Sequence, residues 1–522
     1  ARLTTGGMKG ELLTAMRLTR RDLVRKGVTG GVVLALGASG GAALAVPAVN
    51  ASPSSEGASL AHNGLTHYVA EFVVNTTYAD IPTDAIEVGK KSILDGIGLA
   101  LVGSVVPTGD LSRTYLNSLG LSAGRATVAG SSMKVSPRFA AFANGVGIHS
   151  EDYDDTQASG GPHPNFGLLH PTNTTLPVAM ALGEEKGVSG RDLMLAYQLG
   201  VEVGCKVCQA INPRHYIDGF HTTGTCGTFG AATVASKLHG FDAHWTANVY
   251  GIAGAEASGL RANFGTMTKP FQAGHAAESG VIAAALSALG WTASLDVLED
   301  SSGFFRAAGG GYDPKQIMGK LGSPWSFIFP GVSIKPFPSG LVTHPGMTEM
   351  LNLIKERHIH ADQIESVTVG VNHYVPKDLF YHDPHTALEG KFSMEFCIAA
   401  LAIYGNAGLN QFQDAVVSSP EIQSMMKRVH MVIDPRSEAA GSDWTKTFVT
   451  VRLKNGQIIS ANPVFAKGTP QNPMSFDEVA AKFQECADFA RWPGEKSKAI
   501  VEIVHGLENV PNVRALTALL AT

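Results

Sequence analysis

The sequence predicts a mainly α-helical protein, in which a large all-helical domain is followed by a smaller α+β domain. Almost every segment between residues 59 and 325 has the apolar spacing of a helix, and many are rich in Ala and Gly with few charges. After Pro330, segments appear in which apolar and polar residues alternate and β-branched residues are frequent, as in strands. The chain has 522 residues and is 44% hydrophobic, so large buried cores are expected.

Residues 1–58 are expected to form an export signal and a linker outside the fold. Arg20 and Arg21 are a twin arginine, and the apolar, glycine-rich run GVTGGVVLALGASGGAALAVPA follows them. This pattern resembles a twin-arginine signal, which is read by a receptor and is not an anchor. We therefore expect a periplasmic or secreted protein. No stable membrane span is expected, because the run contains many Gly residues and ends at Pro47.

Residues 59–331 are predicted to form the helical domain, and residues 332–466 the α+β domain. In the second range, strands are predicted at 365–374, 428–434 and 446–453, with helices between them. Asn455-Gly456 predicts a hairpin after the last of these strands. Residues 467–522 return to a helical pattern, and we expect this tail to pack back on the helical domain.

Composition excludes some functions. The formal net charge of −5 provides no basic excess for nucleic-acid phosphates, so no nucleic-acid partner is expected. The five cysteines are scattered and do not form a disulfide framework. Cys205 and Cys208 form a CxxC pair within a helical pattern, and without a second pair they are expected to be buried rather than to bind zinc.

A polar stretch from Asn144 to Pro177 concentrates titratable residues between two apolar helices. Its acidic and histidine residues are His149, Asp152, Asp154, Asp155, His163 and His170. The two His-Pro pairs favour extended or turn conformation over helix. A polar loop between apolar helices is typical of acid-base groups presented to a cavity. The alternative is a solvated acidic loop with incidental histidines.

Four further stretches place polar side chains in apolar or glycine-rich surroundings. They are GFHTTG around His221, RANFGTMTKP with Lys269, SIKPFPSGLVTH with Lys335, and NHY with Tyr374. Taken singly, each is compatible with a structural role, such as a capping histidine or a surface lysine. Together with the polar stretch they define a candidate site.

These motifs, in this order, resemble the MmgE/PrpD family, which includes 2-methylcitrate dehydratase and cis-aconitate decarboxylase. The resemblance rests on NGVGIHSEDYDDT, HPTNTTLPVAMALGEE, GFHTTGTCGTFGAATVASKLHG, TMTKPFQAGHAAESGVIAA and KPFPSG. It implies a helical domain closed by an α+β lid, with the site between them, usually in a homodimer. It also implies a small polycarboxylate substrate. No metal or organic cofactor is expected, because the sequence has no glycine-rich phosphate loop and no clean metal spacing.

The resemblance implies a role for each candidate residue. The catalytic candidates are Asp152, His170, His221 and Tyr374, and the substrate-binding candidates are Thr156, His163, Lys269 and Lys335. His170 matches the family's His-Pro element because Pro177 follows at the same spacing, whereas His163 is a competitor across an apparent insertion. Gly340 is a departure, since the decarboxylases carry a histidine at that position.

The leading hypothesis is a cofactor-free, dehydratase-like lyase that acts on a small di- or tricarboxylic acid by proton transfer next to a carboxylate. Histidine titrates near neutrality and suits this step, while lysines can hold the carboxylates. Alternatives of the same fold are a cis-aconitate-type decarboxylase and an epimerase or isomerase. A different class is a periplasmic organic-acid binding protein, which would need cations but no paired acid-base groups.

Overall fold

A computed structural model describes residues 64–121, 123–158, 168–441, 446–461 and 463–522. The predicted export signal and His163 lie outside these residues. The first group of helices comprises α1 (Leu65–Asn75), α2 (Thr83–Gly103), α3 (Pro107–Ser118), α4 (Pro137–His149), α5 (Thr172–Lys186), α6 (Gly190–Ile211), α7 (Arg214–Ile217), α8 (Thr222–His239), α9 (Ala243–Glu256), α10 (Thr268–Ala288) and α11 (Phe304–Gly309). A short antiparallel pair, β1 (Ala126–Thr127) and β2 (Lys134–Val135), lies between α3 and α4.

The second group combines helices with a sheet. Its elements are α12 (His344–Arg357), β3 (Ile364–Val371), α13 (Ala387–Gly390), α14 (Met394–Tyr404), α15 (Asp414–Val417), α16 (Pro420–Met426), β4 (Val429–Ile433), α17 (Pro435–Glu438), β5 (Phe448–Leu453) and β6 (Ile458–Ser460). The chain then ends in α18 (Phe476–Phe489), α19 (Gly494–His505) and α20 (Arg514–Thr517). This order confirms the predicted fold class, mainly α with a smaller α+β part.

The four-stranded sheet has the order β4-β3-β5-β6. Strand β3 pairs in parallel with β4 and antiparallel with β5, and β5 pairs antiparallel with β6. Gly456 has φ of 87° in the turn between β5 and β6, a conformation that favours glycine, so the hairpin predicted from Asn455-Gly456 is confirmed. The prediction for the first strand was too long, because β3 ends at Val371 and residues 372–374 turn away.

Helices α4 and α10 cross closely at glycines, so the C-terminal end of α4 lies near the N-terminal end of α10. A Cβ atom at Gly145 would lie 2.9 Å from Gly274 Cα, and a Cβ atom at Gly274 would lie 2.5 Å from Phe142 O. Larger residues would therefore force the two helices apart. The close crossing matters for the site, because α4 ends in His149 and Lys269 is the second residue of α10.

Buried apolar residues form two clusters. The larger includes Leu94 and Phe229 of the first helices together with Phe483 and Ile500 of α18 and α19. The smaller contains the central strand β3, helix α14 and their neighbours between residues 337 and 453, with Ala158 and Phe264 added. The domain boundaries at residues 331 and 466 stay predictions from the sequence.

The five cysteines are buried and free. Among the described helices, none is by itself long and apolar enough to cross a membrane, and Thr83–Gly103 with Pro107–Ser118 meets that criterion only as a pair bent by 75°.

Candidate active site

Asp152, in the loop after α4, lies at the centre of the site. Lys269 Nζ donates a hydrogen bond to Asp152 Oδ1 at 2.6 Å, and Lys335 Nζ donates to the same oxygen at 2.8 Å. Lys335 Nζ also donates to Asp152 O at 2.8 Å. This contact supports a φ of 50° at Asp152, which is uncommon for residues other than glycine. Two buried ammonium groups therefore converge on one carboxylate oxygen.

The three charges determine one another's ionisation. Burial opposes ionisation of Asp152, but Lys269 and Lys335 together outweigh it and hold the pKa of the carboxyl well below its usual range. Burial lowers the pKa of Lys335, and Asp152 opposes that shift. At this contact, two ammonium groups face one carboxylate, so one positive charge remains for an incoming carboxylate.

His170 lies beside this cluster, with one ring nitrogen held and the other directed toward it. Its Nδ1 lies 3.0 Å from Asp155 O, which can only accept, so Nδ1 carries the proton. Its Nε2 then has a free lone pair and lies 3.9 Å from Asp152 Oδ1. Burial lowers the pKa of His170, and the carboxylate of Asp154 opposes this shift. The ring is neutral at pH 7 and can accept a proton at Nε2.

His221 has the same arrangement. Its Nδ1 lies 2.6 Å from Gln272 Oε1, and the amide nitrogen of Gln272 donates to Leu260 O at 3.1 Å, which identifies the atom facing His221 as oxygen. Nδ1 therefore carries the proton, and the buried Nε2 has no partner among the described residues. Burial, with His149 and Lys269 adding to it, holds the pKa of His221 well below its usual range.

Behind these two histidines lies a third, His149. Its Nδ1 lies 2.9 Å from Asp154 Oδ1, and Asp154 Oδ2 accepts a hydrogen bond from Asn173 Nδ2 at 2.7 Å. The His149 ring is 4.7 Å from that of His170 and 5.9 Å from that of His221, between centroids. Burial lowers the pKa of His149 to about 4. Asp154 thus holds His149 and lies near His170 Nδ1, at 3.5 Å.

A pocket opens beside these groups. It is lined by Asp152, Thr156, Leu168, His170, Tyr216, His221, Phe264, Lys269, Lys335, Gly340, Leu341, Val342, Asp378, Leu379 and Phe392. Thr156 contributes to the wall with its hydroxyl donating to Leu169 O at 3.3 Å. Residues from both groups of elements therefore form one pocket.

The structure brings together six of the eight candidate residues: Asp152, Thr156, His170, His221, Lys269 and Lys335. His163 lies outside the described residues. Tyr374 is not in the pocket wall, because it follows the end of β3 and is 38% exposed. Its ring lies against that of His373 at 4.0 Å, with Lys377 Nζ 4.7 Å from the ring centroid. The structure therefore does not bring Tyr374 into this pocket.

Sequence reasoning missed two polar residues of the wall, Tyr216 and Asp378. Tyr216 Oη donates to Asp378 Oδ1 at 3.2 Å, and Arg261 Nη2 donates to the same oxygen. Tyr216 belongs to a helix of only four residues and Asp378 follows a single turn, so neither has a local motif. Tyr216 and Asp378 are recognised as pocket residues only by their closeness in the folded structure, which their positions in the sequence do not reveal.

Four side chains of the site could be considered as metal ligands. His149, Asp152, Asp154 and His170 have ligand atoms within 4.8 Å of one another. However, Lys269 and Lys335 already donate to Asp152 Oδ1, and their charges would repel a divalent cation at that oxygen. The residues therefore fit proton transfer and anion binding better than metal binding.

Buried imidazoles with free Nε2 lone pairs, next to paired ammonium groups, are typical of enzymes that move protons on organic acids. Comparison with known proteins agrees with this class. A family model for the MmgE/PrpD N-terminal domain matches residues 67–317, and one for the MmgE/PrpD C-terminal domain matches residues 337–509. The chain belongs to the MmgE/PrpD family.

Curated relatives cover most of the chain. It is 27% identical to a cis-aconitate decarboxylase of Homo sapiens over 448 residues, which are 83% of this chain and 90% of the relative. It is 27% identical to a cis-aconitate decarboxylase of Aspergillus terreus over 492 residues, 88% of this chain and 96% of the relative. The chain is thus an enzyme of the lyase class, and the hypothesis of a binding protein is set aside.

Proposed function

We propose that this lyase acts on a small di- or tricarboxylic acid and transfers a proton at a carbon next to a carboxylate. One observation carries the proposal: Lys269 and Lys335 converge on Asp152 beside the free Nε2 of His170. The lysines can anchor a carboxylate, and the imidazole beside them can reach a proton on the carbon next to that carboxylate. Binding and proton transfer are therefore supplied by one cluster.

The proposed steps use only side chains of the pocket. A substrate carboxylate pairs with Lys269 and Lys335, whose charges also stabilise the negative charge that develops when the adjacent C–H bond breaks. His170 Nε2 takes or returns that proton, since its Nδ1–H is held by Asp155 O. His221 presents a second Nε2 lone pair to the pocket and can accept a hydrogen bond from a substrate hydroxyl or a protonated carboxyl.

Loss of carbon dioxide from a cis-aconitate-like tricarboxylate is the first reaction to test, because the relatives named above are cis-aconitate decarboxylases. In that reaction the C–C bond to one carboxylate breaks, and a proton is delivered to the carbon that keeps the electron pair. Loss of water from a hydroxy acid is the second candidate. Gly340 lies in the pocket wall, at the position where the family resemblance implies a histidine in the decarboxylases; this departure weighs against loss of carbon dioxide but does not by itself favour loss of water.

The test is product analysis by NMR with cis-aconitate and with hydroxy acids of the citrate type. We expect one acid to lose carbon dioxide or water, and Lys269→Ala to weaken its binding. His373→Ala is the matched control, because that histidine is exposed and outside the pocket wall. If the wild-type enzyme converts none of these acids, or Lys269→Ala behaves as wild type, the proposal is wrong.

Export and assembly are separate proposals. We infer from Arg20 and Arg21 that the chain is delivered to the periplasm or secreted, and from the family resemblance that it forms a homodimer. Changing both arginines to Lys should leave the precursor uncleaved in the cytoplasm, and unchanged export would contradict the first proposal. Analytical ultracentrifugation of the mature chain tests the second, with a monomer as the contradicting result.

A further inference from the structure

The rim of the pocket carries a second cation, Arg261. Its Nη1 donates to Tyr216 O at 3.1 Å, and its Nη2 donates to Lys377 O at 3.3 Å and to Asp378 Oδ1. The guanidinium lies over the Tyr216 ring, 3.9 Å from the centroid. Two of these partners, Tyr216 and Asp378, line the pocket. Arg261 thus lies directly behind the rim wall.

On one edge of the guanidinium, formed by Nε and Nη2, only one of the two nitrogens has a hydrogen-bond acceptor. Arginine binds carboxylates most strongly when two adjacent N–H groups form parallel hydrogen bonds. Nη2 donates to Lys377 O and to one oxygen of Asp378, and that oxygen also accepts from Tyr216. Nε is buried and has no partner among the described residues. A buried donor without a partner is costly, so this edge is suited to a further acceptor.

The rim cation and the inner lysines share one aromatic wall. The centroid of the Phe264 ring is 5.9 Å from Arg261 Cζ and 5.3 Å from Lys269 Nζ. Both cations therefore lie close to the same ring. Burial raises the pKa of Asp378, while Arg261 opposes the shift, so this carboxyl takes up a proton more readily than an ordinary aspartate.

We propose that Arg261 is a second carboxylate-binding residue, and that a substrate carboxylate takes the edge formed by Nε and Nη2 in place of Asp378. Before substrate binds, Asp378 keeps the guanidinium in position, as Asp152 keeps Lys269 and Lys335 in position at the inner end of the pocket. The enzyme would then select acids with at least two carboxylates, one for each end of the pocket. This inference rests on the proposed function and specifies its substrate class.

The test is calorimetric binding of unreactive acids with one, two or three carboxylates: butyrate, glutarate and tricarballylate. Arg261→Gln should weaken binding of glutarate and tricarballylate by roughly tenfold or more, the size expected for losing a hydrogen bond to a charged group. Butyrate, which needs only the lysines, should change by less than about twofold. Arg214→Gln is the matched control, because Arg214 pairs with Asp218 at 3.0 Å on the exposed side of α7.

Asp378→Asn distinguishes two roles of Arg261, binding of the substrate and a purely structural ion pair with Asp378. If Asp378 competes with the substrate, its removal should leave polycarboxylate binding unchanged or tighter, whereas loss of a structural tie would weaken it as Arg261→Gln does. Arg261→Lys keeps the positive charge but lacks the adjacent N–H groups of the guanidinium. Its affinity for polycarboxylates should lie between those of the wild-type protein and Arg261→Gln. Equal weakening of butyrate and tricarballylate by Arg261→Gln, or weakening by Asp378→Asn, would overturn the inference while the proposed function stands. No binding of any acid by the wild-type protein would overturn both.

Discussion

The two ends of the pocket are built differently. At the inner end, Lys269, Lys335 and Asp152 are buried and joined by direct hydrogen bonds of 2.6 and 2.8 Å, with His170 beside them. At the rim, Arg261 and Asp378 retain side-chain exposures of 17% and 20% and come from short turns. The charges of the inner end are therefore more deeply buried than those of the rim, where Arg261 and Asp378 can exchange partners when a substrate arrives.

The largest expected effect is at His170, the proton-transfer candidate of the inner end. His170→Ala should lower kcat by about 10²–10⁴-fold with little change in substrate affinity, because a general base is lost and no anchor is removed. Steady-state kinetics and direct binding measure the two quantities. His163→Ala is the companion variant from the same stretch. If it abolishes turnover while His170→Ala is close to wild type, the catalytic role belongs to His163.

The two lysines of the inner end should separate binding from stability. Lys269→Ala should weaken substrate binding, by a free energy of about 1.5–3 kcal/mol for a charge-assisted hydrogen bond. Lys335→Ala also removes the hydrogen bond to Asp152 O, so its main effect should be a lower free energy of unfolding, by about 3–5 kcal/mol for breaking a buried pair. Kinetics and thermal unfolding distinguish them. Equal losses of stability in both variants would contradict this division.

The pH dependence tests the protonation state of the inner end. In loss of water, His170 must be neutral to accept a proton. Because burial lowers its pKa, kcat/KM for that reaction should fall only as the pH decreases below about 6.5, the usual histidine value. Asp154 opposes that lowering, so Asp154→Asn should move the acid limb to still lower pH. A limb that moves to higher pH in Asp154→Asn would show that another group controls it.

The smallest effects are expected at the rim tyrosine. Tyr216→Phe removes the hydroxyl that donates to Asp378 and should change kcat/KM by about two- to tenfold, the range for one hydrogen bond. Tyr374→Phe should have no effect, since that ring is outside the pocket wall. The reverse order of the two variants would restore Tyr374 as a candidate and require a rearrangement of the turn after β3.

The sequence predicted the inner end of the pocket better than its rim. Periodicity identified the helical group and the strands β3, β4 and β5, because apolar spacing reports which faces are buried. The inner-end residues were found because they lie in compact, polar motifs within apolar surroundings. Tyr216 and Asp378 were missed, since their short turns converge only after folding, and Arg261 was quoted only as the first residue of the stretch that contains Lys269. Tyr374 was proposed from the family resemblance, but it follows the end of β3 and lies outside the pocket wall.

The central claim is that His170 exchanges a proton on a carbon next to a carboxylate held by Lys269 and Lys335. It is tested most directly by incubating the enzyme with its acid substrate in deuterated water and following deuterium at that carbon by NMR. We predict deuterium at this position with the wild-type enzyme, and binding without incorporation in His170→Ala. Incorporation at the wild-type rate in His170→Ala, or loss of carbon dioxide catalysed by the wild-type enzyme without deuterium at that carbon, would contradict this role of His170.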